Sequence, residues 1–292
     1  LVITGGPGTG KTTILNCILH ILKNAETVFL CAPTGRAAKK MSNVSGAEAK
    51  TIHRLLGISR EEKSFRHDEN NPLNCDCLIV DESSMLDVSL ARSLFKALKA
   101  DCRLILLGDV DQLPPVGPGS VLRDIIESNR ISCVRLDTLF RQKENSNIVK
   151  FSRDINTGNI PKINNAESND FYMIKTGDKT RALNEICSLY KHRLPNHLEK
   201  NDIDSDIQIL CPSKKHGLST IAINKRIQEL INPINSDSAP ASIEYNDYTF
   251  RINDKVINTK NDYELEWRNA SGFYDKGVFN GDIGKIVNID EK

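Results

Sequence analysis

The sequence predicts an α/β fold built on a parallel sheet, and three observations support that prediction. The apolar run Leu1–Ile3 leads into a glycine-rich turn, and apolar residues at helical spacing follow at 14–19. Short apolar runs typical of buried strands then recur at 27–31, 77–80, 103–107 and 133–136. Helix-like segments separate these runs, and such alternation is typical of parallel sheets covered by helices.

The length of 292 residues is enough for two domains, at roughly 100–200 residues each. The alternation continues to about residue 160, so we expect one domain at 1–163 and a second at 164–292. The polar stretch 57–74 lacks a strong period and predicts a small hairpin insertion. For the second domain we expect strands at 171–174 and 206–211 and helices at 180–194 and 218–231.

Composition and charge set broad limits on function. Hydrophobic residues make up 39% and charged residues 26%, as in ordinary globular proteins. No apolar run approaches the ~20 residues that cross a bilayer. No signal peptide precedes the first strand, so we expect a cytoplasmic protein without a membrane partner. The eight cysteines include no C-x-x-C pair and are expected to be reduced thiols.

The net charge of +1 does not identify a partner. Residues 1–60 hold eight basic residues against two acidic ones, a local excess of six. From charge alone, a nucleic-acid surface and a solvated basic surface remain equally good interpretations.

The strongest motif is Gly5–Thr13, which matches G-x-x-x-x-G-K-[ST] between a strand and a helix. Glycines let successive backbone N–H groups face phosphate oxygens, and the helix N-terminus adds partial positive charge. Lys11 can reach the β/γ-phosphates, and the Thr12 hydroxyl can hold Mg²⁺. The motif therefore predicts a nucleoside triphosphate site. Its expected binding residues are Gly6, Pro7, Gly8, Thr9, Gly10, Lys11, Thr12 and Thr13.

Two acids follow the apolar run at 77–80, in the arrangement called Walker B. Asp81 is expected to bind Mg²⁺, directly or through water, and Glu82 to orient and deprotonate the attacking water. We expect the following segment, 85–100, to be an amphipathic helix. Its predicted core face comprises Met85, Val88, Leu94, Phe95 and Leu98.

Two further residues are candidates for contact with the transferring phosphoryl group. Gln112 heads a Pro/Gly-rich loop, 108–119, that should be stiff because proline presets φ. Its amide can hydrogen-bond the γ-phosphate and water. Arg141 follows the last strand of the first domain and can stabilise charge on the phosphoryl group.

Basic loops follow a predicted strand in each half of the chain, at 32–40 and 212–217. Such loops lie at the edge where open α/β sheets bind ligands. Two of them suggest one continuous track that suits a single-stranded nucleic acid backbone. From the residues alone, Thr34 fits a turn and His53 fits a core histidine.

In order and spacing, the motifs together resemble those of superfamily 1 DNA helicases, and several look like the RecD-type branch related to the exodeoxyribonuclease V alpha subunit. The motifs that carry the resemblance are Gly5–Thr13, Ala32–Lys40, Thr51–Gly57, Asp81–Ser84, Gly108–Gly119, Leu139–Gln142, Thr259–Tyr263 and Val278–Gly284.

The resemblance implies an ATP-driven motor with two RecA-like parallel-sheet domains, built on the P-loop NTPase fold, that moves 5′ to 3′ along single-stranded DNA. It implies that the insertion at 57–74 is the hairpin that splits duplex DNA at a junction, and that Lys11, Asp81, Glu82, Gln112 and Arg141 form the catalytic set with ATP and Mg²⁺. It also places His53 on the DNA. The implied DNA-binding residues are Pro33, Thr34, Arg36, Thr51, His53, Ser213, Lys214 and Asn280.

The sequence departs from the family pattern at its ends. It starts at the first strand of the phosphate-binding unit, and it stops soon after Val278–Gly284, inside what looks like the start of a β-barrel insertion. The family's motif VI does not occur. We therefore expect a piece of a longer protein, with the second RecA-like domain incomplete. Nucleotide binding is expected to survive, while turnover and unwinding are impaired.

Two other functions remain open. A P-loop ATPase acting on a protein or small molecule would explain Lys11, Asp81 and Glu82 but not the basic loops. A nucleotide-binding subunit of a nuclease or recombination complex would also fit, although the intact catalytic set argues against a degenerate site.

Overall fold

The computed structural model describes residues 1–22, 27–57, 64–138, 146–166, 170–196, 207–215, 217–234, 242–268, 272 and 274–290. The chain divides into two compact units, Leu1–Phe171 and Tyr172–Lys292. The expected domains 1–163 and 164–292 remain predictions. Within the described ranges, every helix is too short or too polar to cross a lipid bilayer.

The first unit contains a six-stranded sheet in the order β3-β2-β4-β5-β1-β6. Every neighbouring pair in this sheet is parallel, which confirms the predicted fold class. Each predicted apolar run of this unit forms one of the strands. The strands are β1 (Val2–Gly5), β2 (Val28–Ala32), β3 (Ala49–Thr51), β4 (Cys77–Val80), β5 (Arg103–Gly108) and β6 (Cys133–Leu136).

Six helices connect or follow these strands. They are α1 (Lys11–Leu22), α2 (Gly35–Ser45), α3 (Ile52–Leu56), α4 (Val88–Lys96), α5 (Val121–Glu127) and α6 (Asn147–Asn156). Side-chain oxygens accept hydrogen bonds from the first turn of four of them, which fixes where each begins. The capping residues are Thr34, Thr51, Asp87 and Ser146.

The sheet has an apolar core on each face, because side chains alternate along each strand. In β4, Leu78 and Val80 pack with Leu94 of α4 on one face. Cys77 and Ile79 pack with Leu15 of α1 on the other face. All four residues of β4 are fully buried, so this strand lies at the centre of the unit.

The predicted helix at 85–100 is shorter than expected at both ends, and its predicted core face is confirmed only at Leu94 and Leu98. Ser83–Met85 form a 3₁₀ turn, and the Asp87 carboxylate caps α4, which begins only at Val88. That start turns Ala91 and Leu94 inward, whereas Met85, Val88 and Phe95 are at least one-third exposed.

The second unit contains two helices and three antiparallel strand pairs in its described residues. The helices are α7 (Lys179–Ser188), extended by a π-helical turn at Leu189–Arg193, and α8 (Thr220–Ile231). The strands are β7 (Ser242–Tyr245), β8 (Tyr248–Arg251), β9 (Lys255–Ile257), β10 (Asp262–Arg268), β11 (Tyr274–Val278) and β12 (Ile283–Lys285). The pairs are β7–β8, β9–β12 and β10–β11.

Two strands predicted for the second half are not found. Residues 171–174 and the described part of 206–211 form no strand. Both runs are rich in β-formers, but strand formation depends on pairing and burial more than on intrinsic preference. Tyr172, Met173 and Ile174 are all more than 40% exposed. A second parallel sheet therefore remains a prediction.

A polar network joins α8 to the β8–β9 turn. The Asp254 carboxylate accepts hydrogen bonds from the side-chain amides of Gln228 and Asn232 and from the Arg251 backbone N–H. The Arg251 guanidinium donates in turn to the Asn232 carbonyl at 2.9 Å. Arg251 is itself buried, so this network fixes the helix to the strands that follow.

Candidate nucleotide and DNA site

Four loops that carry predicted site residues leave the same edge of the first unit's sheet. They follow β1, β2, β4 and β5, and parallel strands place their carboxyl ends together. The phosphate-binding turn after β1 and the acids after β4 are separated by one strand, β5.

The turn after β1 has the backbone shape that its glycines permit. Gly8 and Gly10 have φ values of +80° and +91°, which other residues rarely adopt. The buried Thr9 hydroxyl donates to the Gly6 carbonyl at 2.8 Å and holds the turn closed. Pro7 is exposed at the tip.

Lys11 begins α1, and its ammonium group lies back over this turn. It donates to the Gly5 and Gly6 carbonyls, the latter at 3.0 Å. Thr12 and Thr13 follow in the first turn of α1, with exposed side chains. An ammonium group and free helix N–H groups around one turn fit a polyphosphate.

The two Walker B acids are fixed by backbone hydrogen bonds. Asp81 donates its N–H to the Cys31 carbonyl of β2 at 2.9 Å, and its own carboxylate accepts from the Glu82 N–H at 2.9 Å. Glu82 has a left-handed backbone, with φ of +51° and ψ of +38°. Such a conformation is uncommon outside glycine and is frequent at functional sites.

Charged residues from several of the loops affect the pKa of Glu82. Partial burial raises the pKa of the Glu82 carboxyl above its usual 4.5, and the neighbouring Asp81 and Asp109 raise it further. Lys40 and Lys11 oppose this rise. Lys11 and Asp81 thus both affect the charge of Glu82, and the roles of these three residues remain predictions.

Gln112 is connected to this group of residues by its contacts with Asp109. The Gln112 backbone N–H donates to the Asp109 carbonyl at 3.1 Å, and its side-chain amide lies 3.5 Å from the Asp109 carboxylate. Asp109 is 3% exposed, whereas the Gln112 side chain is exposed. Asp109 thus positions the residue expected to meet the phosphate.

Sequence reasoning missed Asp109 and Lys40. Asp109 directly follows a buried strand, as Asp81 does, and that signal could have identified it. Lys40 lies on α2, and the sequence alone does not show which lysine of this helix acts on Glu82.

The residues here fit Mg²⁺ in their chemistry. Thr12 offers a hydroxyl oxygen and Asp81 a carboxylate, and hard divalent cations prefer such oxygen ligands. The rise in the Glu82 pKa caused by Asp81 indicates repulsion between two carboxylates, which a cation would relieve.

The predicted DNA contacts in the first unit lie at the beginnings of two helices. Thr34 caps α2 by accepting from the Ala37 N–H, and Thr51 caps α3 by accepting from the Arg54 N–H, each at 3.2 Å. Pro33 is half-buried beside the Thr34 cap, and Arg36 is exposed in the first turn of α2. Helix N-termini of this kind suit phosphate groups.

His53 lies in α3 with its ring 5.9 Å from that of Phe65. Burial lowers the pKa of His53, and the charge of Asp87 opposes that effect. His53 is half-buried, so one part of its ring packs while the rest remains accessible.

The remaining predicted site residues lie elsewhere. Arg141 is outside the described residues. In the second unit, the Ser213 carbonyl accepts from the Thr220 N–H at 3.0 Å at the start of α8, and the Lys214 side chain is exposed. The backbone N–H of Asn280 donates to the Asn261 side chain at 2.8 Å, which joins two of the recognised motifs.

Comparison with known families gives two matches, one in each unit. Residues 1–118 match the family model described as an AAA domain. Residues 223–292 match the model described as the SH3 domain of ATP-dependent RecD-like DNA helicases. The second match confirms the predicted start of a small β-barrel.

Individual relatives agree with these models. The chain is 32% identical, over 98% of its length, to an ATP-dependent RecD2 DNA helicase of Deinococcus radiodurans, of which it spans 36%. It is 38% identical over 151 residues to RecBCD subunit RecD of Mycolicibacterium smegmatis, covering 43% of this chain and 27% of that one. The chain thus spans about a third of these relatives or less.

Among solved structures, the chain is similar to a Pif1 helicase from Bacteroides in complex with ADP-AlF3 and single-stranded DNA. The TM-score is 0.49 at 19% identity, covering 99% of this chain and 66% of that one. The sequence matches in both units confirm the resemblance that the motifs indicated. Across both units, the chain is therefore similar in sequence to RecD-type helicases.

Proposed function

We propose that the chain is the ATP-hydrolysing part of a DNA helicase that moves 5′ to 3′ along single-stranded DNA. One observation carries the proposal above all others. The turn that carries Lys11 and the strand end that carries Asp81 and Glu82 lie at the same edge of the sheet, separated by one strand, β5. The proposed general base thus lies at the same sheet edge as the proposed phosphate-binding lysine.

The proposed chemistry assigns one role to each residue. Lys11 and the N–H groups at the start of α1 hold the β/γ-phosphates of ATP. Thr12 and Asp81 would hold Mg²⁺, which neutralises phosphate charge when it is bound. Glu82 takes the proton of the attacking water, and its raised pKa brings its basicity closer to neutral pH.

Two residues would report the state of the γ-phosphate. Gln112 donates through an amide that Asp109 holds in place, and Arg141 places a permanent positive charge on the transferring group. When the γ-phosphate is lost, both contacts are lost. Movement along DNA would follow this change.

DNA is proposed to contact both units. Pro33, Thr34, Arg36, Thr51 and His53 form the contact in the first unit, beside the capped starts of α2 and α3. Ser213, Lys214 and Asn280 form the contact in the second unit. The helix N-termini favour the phosphate backbone, and that contact is independent of base sequence.

A second role follows from the match to RecBCD subunit RecD, at 38% identity over 151 residues. The full-length protein is proposed to work with nuclease or recombination subunits. Copurification from its native host, followed by mass spectrometry, would identify such partners.

The test uses the full-length protein and duplexes with a single-stranded tail at either the 5′ or the 3′ end. We expect ATP-dependent unwinding of the 5′-tailed duplex alone, abolished by Lys11→Ala and by Glu82→Gln. Arg130→Gln, an exposed change between α5 and β6 at the opposite edge of the sheet, is the control and should unwind normally. Unwinding from the 3′ tail would overturn the direction, and hydrolysis without unwinding of either duplex would overturn the helicase.

A further inference from the structure

Two cysteines outside the nucleotide site lie side by side. The sulfurs of Cys75 and Cys102 are 3.7 Å apart, and each residue lies just before a strand, β4 and β5 respectively. These are the amino ends of the two strands whose carboxyl ends lead to Asp81 and Asp109. The pair thus occupies the sheet edge opposite to the nucleotide site.

The backbone geometry suits a covalent bridge. β4 and β5 pair with Cys77 opposite Arg103, and the Arg103 N–H donates to the Asp76 carbonyl at 2.9 Å. Cys102 therefore lies beside Asp76, and Cys75, which precedes β4, brings its sulfur to within 3.7 Å of the Cys102 sulfur. Strand spacing and rise then give a Cα separation of roughly 6 Å. Disulfides span Cα separations of about 4.4–6.8 Å, and the two sulfurs already lie 3.7 Å apart.

The two thiols differ in access. Cys102 is partly exposed, so an oxidant can reach it, whereas Cys75 is 2% exposed. Burial and the neighbouring Cys102 raise the pKa of the Cys75 thiol to about 12. Cys102 is therefore the thiol that reacts first, and Cys75 is the thiol that resolves the product.

We propose that Cys75 and Cys102 form a reversible intrachain disulfide when the protein meets a two-electron oxidant such as hydrogen peroxide. The Cys102 sulfur attacks the peroxide and becomes a sulfenic acid, and one water leaves. The Cys75 sulfur then bonds to the Cys102 sulfur. The sulfenic hydroxyl takes the Cys75 proton and leaves as a second water. The two thiols lose two electrons, and these reduce the peroxide.

Among the neighbouring cysteines of the described residues, the sulfur–sulfur contact joins Cys75 to Cys102. Cys77 packs in the core on the opposite face of the sheet from Cys75. Cys31 lies on the same face as Cys75 but is fully buried, so no oxidant reaches it directly. Cys75 precedes β4 and the chain bends at Asp76, so its side chain packs on the face opposite to that of Cys77.

The test treats the folded 292-residue chain with hydrogen peroxide, alkylates the remaining thiols and digests the chain without reduction. We expect a cross-linked pair of peptides that join Cys75 to Cys102, reversed by dithiothreitol. Cys75→Ser and Cys102→Ser should each abolish the link, and the matched control Cys77→Ser should keep it. The oxidised chain should also melt several degrees higher, because the bridge restricts the unfolded chain.

Two results would overturn the proposal. One is stable oxidation of Cys102 to a sulfinic acid with Cys75 still alkylated, which would show that the buried thiol does not resolve the sulfenic acid. The other is a link that survives Cys75→Ser, which would place the bridge on another cysteine.

Discussion

The Thr4 hydroxyl oxygen accepts a hydrogen bond from the Val110 backbone N–H at 3.2 Å. Thr4 lies in β1, which leads into the phosphate-binding turn, and Val110 lies in the loop that carries Gln112. Thr4 is 2% exposed, so the bond is protected from water. The two loops expected to face phosphate therefore share one buried attachment.

Replacing Thr4 by valine should destabilise the first unit. The change keeps the side-chain volume but leaves the Val110 N–H without its partner, at a cost of about 1–3 kcal/mol. Urea unfolding measures this loss. Thr4→Ser keeps the hydroxyl and should lose less, so a valine variant as stable as the serine variant would contradict the role of the hydrogen bond.

Adjacent glycines in the phosphate-binding turn should respond differently to alanine. A Cβ on Gly5 would lie 2.6 Å from the Thr9 hydroxyl and 2.8 Å from the Leu136 carbonyl, both closer than normal contact. A Cβ on Gly6 would meet nothing within 4 Å. Overpacking of this kind costs roughly 1–3 kcal/mol.

Thermal unfolding of the two variants separates them. We expect Gly5→Ala to lower the Tm by several degrees and Gly6→Ala to leave it nearly unchanged. Equal Tm values for the two variants would show that the packing of Gly5 against Leu136 is looser than described.

Glu82→Gly should not destabilise the chain, although glycine usually does. The left-handed backbone costs a non-glycine residue roughly 1–2 kcal/mol, which exceeds the ~0.5–1 kcal/mol that glycine loses in entropy. Met85→Gly, in the same turn but without a left-handed φ, is the matched control and should lose stability. If Glu82→Gly lost as much stability as Met85→Gly, the left-handed backbone at Glu82 would not be strained.

The charge of Glu82 should make stability depend on pH. The pKa of Glu82 is higher in the folded chain than in the unfolded chain. Its stabilising contribution is therefore fully present at pH values below the unfolded-state pKa, near 4.5. That contribution is lost as the pH rises through the folded-state pKa. Glu82→Gln should therefore increase the free energy of unfolding at pH 8, with a smaller difference from wild type at pH 4.

Urea unfolding at the two pH values measures this effect. The exposed change Glu127→Gln, on α5, removes the same charge from the surface and serves as the control. A Glu82→Gln variant that gains no stability at pH 8 would show that the carboxylate is not destabilised in the fold.

The sequence predicted the first sheet well because local signals coincide there. Five of its six strands are short apolar runs, whereas β3, with the sequence Ala-Lys-Thr, was not predicted. Lys11, Asp81 and Glu82 lie where strand ends meet glycine or acids. In the second half of the chain, apolar runs and turn or acidic residues do not coincide in this way. The run at 171–174 has strand-forming residues, but its state depends on distant pairing partners that no local pattern specifies.

Parts of the site depend on three-dimensional geometry that a linear pattern does not contain. The left-handed backbone of Glu82 arises because the chain turns from β4 directly into a 3₁₀ turn. The influence of Lys40 on Glu82 depends on where α2 packs. The exposure of Met85, Val88 and Phe95, which were predicted to face the core, also depends on three-dimensional geometry. The Asp87 cap, rather than the apolar period, sets where α4 begins.

We propose above that nucleotide chemistry at Lys11 and Glu82 drives movement on DNA. The most direct test is ATP hydrolysis by the full-length protein with and without single-stranded DNA. We expect strong stimulation by DNA, abolished by both Lys11→Ala and Glu82→Gln, with ATP binding kept in Glu82→Gln and lost in Lys11→Ala. Hydrolysis at the same rate with and without DNA would contradict this proposal and favour an ATPase that acts on another substrate.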